Sequence, residues 1–495
     1  MTDDLTNGEP WADVRETHSG VVVLLGDMAY KLKKPIKLPF LDFTTPAKRR
    51  SVCEREVALN RRLAPDVYLA VASLEQPGSA GEPLVMMRRM RAAYRLSRLA
   101  ETGGGVEEIR TLARVLAEFH SRADRSRAIS DEGRRDKVRS RWRDNLEEAS
   151  VLPGGPIPSD LLDRVRTRTE RYLAGRERLF DERIAQGKVI DGHGDLLADD
   201  IFCLPDGPRV LDCLEFDDRL RHLDQVDDIA CLAMDLLRLG RADLAARLVK
   251  KYREFSGDRA PQSLVHHYIA YRAFMRAKVT AVRLQSSPAA SGSFESPIAL
   301  TRLALSHLDT AAVRLVLVGG PPGSGKSTVA ELLAERLGYV TVASDIVRKE
   351  LAGLAARTDA TAPFEEGIYT AAWTDRTYKE MLHRAEMLLS RGQSVILDAT
   401  WRDAELRAAA HRLADGCEAD LVELRCDVSA DVAADRMKAR DGASDADGII
   451  AEAMRAVPTV WSESLPIDTG QDLRDSVEAA VAAVLSERPF ETPAS

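Results

Sequence analysis

The chain has 495 residues, 45% of them hydrophobic and 30% charged, too long for one ordinary core and rich enough in core formers for two or three domains. A formal net charge of −8 argues against a dedicated nucleic-acid binder, which carries a basic surface. No apolar run approaches 18 residues, "MTDDLTNGEPWADVRE" lacks the order of a secretory signal, and the six cysteines form no CxxC pair. These features set the expectation of a cytoplasmic protein with reduced thiols and no membrane segment.

In chain order, "GVVVLLGDMAYKLKK" reads as two strands joined at Gly26-Asp27. "EREVALNRRL" has helical spacing, and "EPLVMMRRM" reads as a further strand. From Ser97 to Ile184 the pattern is mainly helical, clearest in "EEIRTLARVLAEFH". Strands are expected again at "VIDGHGD" and "RVLDCLEF", then helices at "DDIACLAMDLLRL" and "HHYIAYRAFMRAKVTAVRL". "QSSPAASGSFESP" reads as a loop, because "IALTRLALSHLDTAA" beyond it is an apolar-periodic helix that can pack on the same domain. The boundary is therefore placed at Ala311, giving domains 1–311 and 312–495. After it, "VRLVLVGG", "STVAELLAERL", "YVTVAS", "SVILDAT" and "ADLVELRCD" alternate strand and helix, the order of a parallel sheet covered by helices. Between Ser121 and Arg143 nine Lys/Arg stand against four Asp/Glu, which reads as a solvated face or, alternatively, a contact for an anionic partner.

The strongest chemical signal is "GGPPGSGKST". Gly320, Pro321, Pro322, Gly323, Ser324, Gly325, Lys326, Ser327 and Thr328 follow a strand and open a helix, the setting a phosphate-binding loop requires. Glycines let backbone N–H groups turn inward, Lys326 reaches the β and γ phosphates of ATP, and Ser327 offers a hydroxyl to Mg²⁺. Asp345, past the second strand, can take a proton from an acceptor hydroxyl, and Arg348 can hold the acceptor or a phosphate. Asp398 ends a buried strand where a carboxylate organises the Mg²⁺ water shell; Arg436 and Arg440 stand a helical turn apart, suited to closing over the moving phosphoryl group. Through GPPGSGKS, SDIVR, LDAT and RMKAR, residues 313 to 485 resemble the small P-loop kinases related to gluconate kinase, chloramphenicol phosphotransferase and the kinase domain of polynucleotide kinase. The resemblance implies transfer of the ATP γ-phosphate to a hydroxyl, with Asp345 as base.

In the first half, "HGDLLADDIF" resembles the catalytic loop of aminoglycoside phosphotransferases and other protein-kinase-like small-molecule kinases, whose usual form is HGDLxxxN. The likeness extends to "MAYKLKKP", "EREVALNRRL", "PLVMMRRM", "LAEFH", "VLDCLEF" and "VDDIACLAMDL". It implies a two-lobed α+β domain in which Lys31, with Lys33 as the alternative, contacts ATP phosphates and Glu56 pairs with that lysine. It further implies that Asp195 orients or deprotonates the acceptor, that Asp200 and Asp212 hold Mg²⁺, and that Asp228 is structural. Two departures stand out: "ETHSGVVV" offers only Gly20 as phosphate cover, and Asp200 replaces the usual Asn.

Both resemblances in this order imply an aminoglycoside phosphotransferase-like domain fused to a P-loop kinase domain. The leading expectation is a bifunctional ATP- and Mg²⁺-dependent kinase acting on a small-molecule acceptor, without nucleic-acid or membrane partners. Two alternatives stay open: a degraded first half that senses nucleotide and regulates the second, and a nucleic-acid end kinase.

Overall fold

The computed structural model describes residues 10–16, 20–38, 41–75, 81–286, 296–355, 370–438 and 461–486. Contacts divide the chain into two compact units: Met1–Thr167 with Phe180–Ala260 and Leu264–Thr310, and Arg168–Leu179 with Pro261–Ser263 and Ala311–Ser495.

The first unit begins with β1 (Ala12–Glu16), β2 (Gly20–Leu25), β3 (Met28–Lys33), the short pair β4 (Lys37–Leu38) and β5 (Leu41–Asp42), helix α1 (Pro46–Asn60), β6 (Tyr68–Leu74) and β7 (Glu82–Arg88). Five of these strands form an antiparallel sheet, β1-β2-β3-β7-β6. The β2–β3 turn falls at Gly26-Asp27, as the sequence predicts, and Gly26 has the left-handed φ of 53° that a tight turn asks for. Thr45 starts α1 by accepting from Lys48 N at 3.3 Å, with Pro46 in the first turn. Arg49, Cys53, Glu56, Val57 and Asn60 then share the buried face. Cys53 and Val57 of that face meet Val85, Met87 and Tyr68, and Glu56 is carried inside beside this apolar cluster.

The second lobe is helical: α2 (Leu96–Glu101), α3 (Val106–Arg122), α4 (Arg127–Glu132), α5 (Arg135–Ser150), α6 (Ser159–Ala174) and α7 (Glu177–Ala185) precede three small strands, the end of α6 and the start of α7 belonging to the second unit. These are β8 (Val189–Asp191) and the hairpin β9 (Ile201–Leu204) and β10 (Gly207–Val210). Then come β11 (His222–Asp224), α8 (Gln225–Arg238), α9 (Ala242–Ser256), α10 (Gln262–Ser286) and α11 (Pro297–Ala311). Pairing of β8 with β11 brackets the loop and hairpin between them. α8 is buried from Gln225 through Leu236, so its aspartates must find partners inside. The expected strand "RVLDCLEF" is shorter than its apolar pattern suggests. It ends at Val210, and Asp212 has a left-handed φ of 61° that no extended strand accommodates.

The second unit is an α/β layer of β12 (Arg314–Gly319), α12 (Lys326–Leu337), β13 (Val340–Ala343), α13 (Ser344–Leu351), α14 (Ala371–Leu389), β14 (Val395–Asp398), α15 (Ala404–Gly416), β15 (Asp420–Asp427), α16 (Ala430–Lys438), β16 (Leu465–Asp468) and α17 (Leu473–Leu485). Its strands are all parallel in the order β13-β14-β12-β15-β16. Leu315 to Val318 are fully buried, which is why this strand reads as an unbroken apolar run. Val316, Ile396, Leu424 and Ile467 pack with Val329, Leu333 and Val484 of the covering helices.

Candidate active sites of the two units

In the first unit, Lys31 and Lys33 lie two residues apart on β3 and point to the same face. Both reach the buried Glu56: Lys31 Nζ is 2.8 Å from Oε1 and Lys33 Nζ is 2.7 Å from Oε2. Their second partners differ. Lys31 donates to Asp212 Oδ1 at 2.6 Å, whereas Lys33 donates to Glu215 Oε1 at 2.5 Å. The Lys31 side chain is 16% exposed and that of Lys33 only 2%, so Lys31 borders the open cleft and Lys33 is sealed behind it. Burial alone would lower the Lys31 ammonium, but Asp212 and then Glu56 outweigh it and hold it well above its usual value. Lys31 in turn draws the Asp212 carboxyl below the ordinary range.

Asp212 is placed by α1 and the sheet. Asn60 Oδ1 accepts from Cys213 N at 2.9 Å, and Tyr68 Oη accepts from Asp212 N at 3.3 Å. Asp200 and Asp212 each stand just outside an end of the β9–β10 hairpin, and Leu211 N donates to Asp200 O at 2.9 Å. Burial, then the charges of Asp212 and Asp195, push the Asp200 carboxyl well above its usual value. Adjacent carboxylates that repel each other fit a divalent cation between them. Among the described residues, no group of three or more His, Cys, Asp or Glu forms a metal cage. A two-carboxylate arrangement suits Mg²⁺, which keeps waters and takes its remaining ligands from phosphates.

The loop carrying Asp195 hangs from α8. Asp228 accepts from His193 N at 2.7 Å, Gly194 N at 2.9 Å and the His120 ring at 3.1 Å. Two turns on, Asp235 accepts from Ala198 N at 2.8 Å. Burial would raise Asp228, yet these bonds hold its carboxyl well below the usual range, an anion stabilised by the loop it positions. His193 is buried, and burial lowers its pKa to about 4, leaving a neutral ring. Its Nε2 faces Leu211 O at 3.1 Å and its Nδ1 faces Asp195 N at 3.4 Å, which fixes the tautomer with the proton on Nε2. Burial, with Asp212 and Asp235 nearby, raises Asp195 above the ordinary aspartate value despite Arg272 and Arg276. Asp195 opens onto a cavity of about 210 Å³ between the loop and α10. Asp199 points outward, its side chain 65% exposed, and accepts from Ser97 Oγ.

In the second unit, Gly319 ends β12 and the loop from Gly320 to Gly325 leads into α12, with Lys326, Ser327 and Thr328 in its first turn. Gly320, Gly323 and Gly325 have φ of 144°, 78° and 80°. A Cβ at Gly320 would lie 2.7 Å from Cys426 O, and one at Gly323 would lie 2.5 Å from Ala433 O. The chain is therefore glycine for reasons of both torsion and space, and this cradle fits a phosphate. Gly323→Ala is expected to weaken ATP binding at this centre by about tenfold or more, measured by calorimetry. Ser324 is fully buried, with its carbonyl accepting from Thr469 Oγ1 at 2.7 Å. Arg436 donates to Thr469 O at 2.7 Å and lies against Gly325. Asp398 ends β14 in register with Val318 and Ala343, and Asp345 is the second residue of α13, two beyond Ala343. The three strand ends thus bring Asp398, Asp345 and the loop to one edge of the sheet. Arg348 Nη1 lies 3.6 Å from Asp345 Oδ1. Arg440 lies outside the described residues.

Three features escape a reading of motifs alone. Glu215 seals Lys33, Asp235 supports the loop from the same face of α8 as Asp228, and Thr469 clasps a loop some 145 positions earlier. Asp235 had a signal in its seven-residue spacing from Asp228. Thr469 had none.

The chain thus joins a unit built of an antiparallel sheet and a helical lobe to an α/β unit whose first strand runs into a glycine-rich, phosphate-fitting loop. Residues 315–459 match the family model described as AAA domain. The chain belongs to the family of Uncharacterized protein Rv2004c of Mycobacterium tuberculosis (strain ATCC 25618 / H37Rv), with 45% identity over 476 residues and 95% of each chain covered. Similar solved structures include a gluconokinase from Sinorhizobium meliloti 1021, at 21% identity, 35% of this chain, 91% of that chain and a TM-score of 0.25. A choline/ethanolamine kinase family protein from Mesorhizobium loti is similar at 14% identity, 62% of this chain, 89% of that chain and a TM-score of 0.37. No described helix is long and apolar enough to cross a membrane.

Proposed function

We propose that the chain is an ATP-dependent phosphotransferase with two phosphoryl-transfer centres, one on each side of a boundary at Ala311, each acting on a hydroxyl of a small molecule. The observation that carries the reading for the first centre is the linked set Lys31–Glu56 and Lys31–Asp212. The cleft holding that set also receives Asp195 on a loop fixed by α8. In this reading Lys31 steadies the phosphates, Asp195 takes the acceptor proton, and Asp200 and Asp212 hold Mg²⁺. The ion would neutralise charge on the phosphates when bound. At the second centre the glycine cradle, Lys326 and Ser327 take the phosphates and their metal, with Asp398 supporting the water shell. There Asp345 acts as base, Arg348 holds the acceptor, and Arg436 with Arg440 closes over the transferring group.

The basic stretch at 121–143 supports the nucleic-acid alternative poorly. Arg134, Arg139 and Arg141 pair with Asp131, Asp136 and Glu132 of the same stretch.

The test is ADP release from a panel of hydroxyl compounds by the full chain and by Asp195→Asn and Lys326→Ala separately. Each variant is expected to lose one activity and keep the other; loss of all activity with Lys326→Ala alone makes the first unit a regulatory module. A base acts deprotonated, and the raised pKa of Asp195 sets where that fails. The rate of the first centre is therefore expected to fall with decreasing pH at values above the ordinary aspartate pKa of about 3.9, as a pH–rate profile in the Lys326→Ala background reads.

A further inference from the structure

The cavity beside Asp195 has an unusual charge for a site whose catalytic group is an anion. Four of its lining side chains are arginines: Arg141, Arg272, Arg276 and Arg283. Two of them are already matched. Arg141 bonds Glu132 at 2.9 Å, and Arg272 donates to Asp227 at 2.6 Å and to Gly194 O at 2.6 Å, which makes it part of the loop's support. Arg276 and Arg283 are different, with no ion pair or hydrogen bond to a described residue. With Arg272 they follow a 4-then-7 spacing along α10, one stripe of a helix, so all three cations face the cavity. Arg276 is half-buried and Arg283 lies exposed at the cavity mouth; partial burial, then the like charge of Arg276, lowers the Arg283 guanidinium below its usual value, and Asp195 offsets this only in part. Two unmatched arginines would repel a cationic acceptor, and their planar donor forks match an oxyanion.

We infer that the acceptor of the first centre is a hydroxyl compound bearing its own anionic group, a phosphate, sulfate or carboxylate, seated on Arg276 and Arg283 with the hydroxyl toward Asp195. The inference rests on the proposed kinase role of this unit. In the reaction the acceptor oxygen forms a bond to the γ-phosphorus, the bond from that phosphorus to the β,γ-bridging oxygen breaks, and ADP leaves with the electron pair. The hydroxyl proton goes to Asp195. The arginines act before this step by holding one end of the acceptor, which leaves Asp195 free to face the hydroxyl.

The test uses the full chain carrying Lys326→Ala. Calorimetry measures binding of glucose 6-phosphate, glycerol 3-phosphate and glycerate against glucose, glycerol and choline; ADP release is measured for the same six. At least one anion is expected to bind and turn over where its neutral parent does not. Arg276→Gln with Arg283→Gln is expected to weaken that binding by about tenfold or more, while Arg276→Lys with Arg283→Lys stays within about threefold, separating lost charge from lost folding. The inference is overturned if choline or the neutral compounds are preferred, if no anion binds, or if anion binding ignores the glutamine pair. Arginine-dependent anion binding without Asp195-dependent ADP release from any compound keeps the anion site and refutes the kinase reading instead.

Discussion

Replacing Asp228 with alanine is expected to destabilise the first unit by about 3–5 kcal/mol and to lower the rate of its centre by about 10²-fold or more. The carboxylate is fully buried and accepts from two consecutive backbone N–H groups and from His120. Alanine leaves these donors in a dry interior, each carrying a desolvation penalty of about 1–3 kcal/mol. It also releases the loop that aims Asp195. Asparagine keeps one acceptor oxygen and should recover part of both losses. Because the folded-state pKa of Asp228 lies below the unfolded value of about 3.9, the wild type's advantage over Asp228→Asn is complete above that pH. The advantage shrinks as pH falls through the folded value. Denaturant titration of the first unfolding transition at several pH values reads this directly. A loss under 1 kcal/mol with an unchanged rate would mean the loop is held some other way.

Lys326→Ala is expected to behave in the opposite manner, with little change in stability and a large loss of chemistry. Lys326 makes no ion pair with a described residue, and it stands in the first turn of α12 at the surface of the cradle. Surface changes of this kind stay within about 0.5 kcal/mol. Removing the only lysine of the loop takes a fixed positive charge from the transferring phosphates, a loss of about 10²–10³ in rate at the second centre. The first centre should be untouched. A Tm equal to that of the parent chain, together with the rate loss, separates this chemical role from a folding defect.

The contrast between these two variants reflects what the sequence could and could not convey. The P-loop was legible because its function depends on local backbone torsion, and Gly320, Gly323 and Gly325 write that torsion into the sequence. The parallel sheet was legible because strands buried on both faces read as apolar runs between helical segments. The first lobe was harder. Strand β1 is exposed along most of its length and shows no alternation, so nothing in "ADVRE" announces a strand. The strand expected at "RVLDCLEF" stops early because a functional segment interrupts it: Leu211 and Cys213 continue the apolar pattern while Asp212 turns the chain. The pairing of Lys31 and Lys33 with one glutamate, and their separation by Asp212 and Glu215, joins residues about 180 positions apart and has no local signature. Arg272, Arg276 and Arg283 of α10 carry no motif, and only the fold shows that they line the cavity that holds Asp195.

The measurement that bears most directly on the two-centre account needs no knowledge of the acceptor. It is the stoichiometry with which the full chain binds a non-hydrolysable ATP analogue in Mg²⁺. The account predicts two sites per chain, one removed by Lys326→Ala and the other by Lys31→Met with Asp212→Asn. A single site per chain, abolished by Lys326→Ala alone, would contradict it.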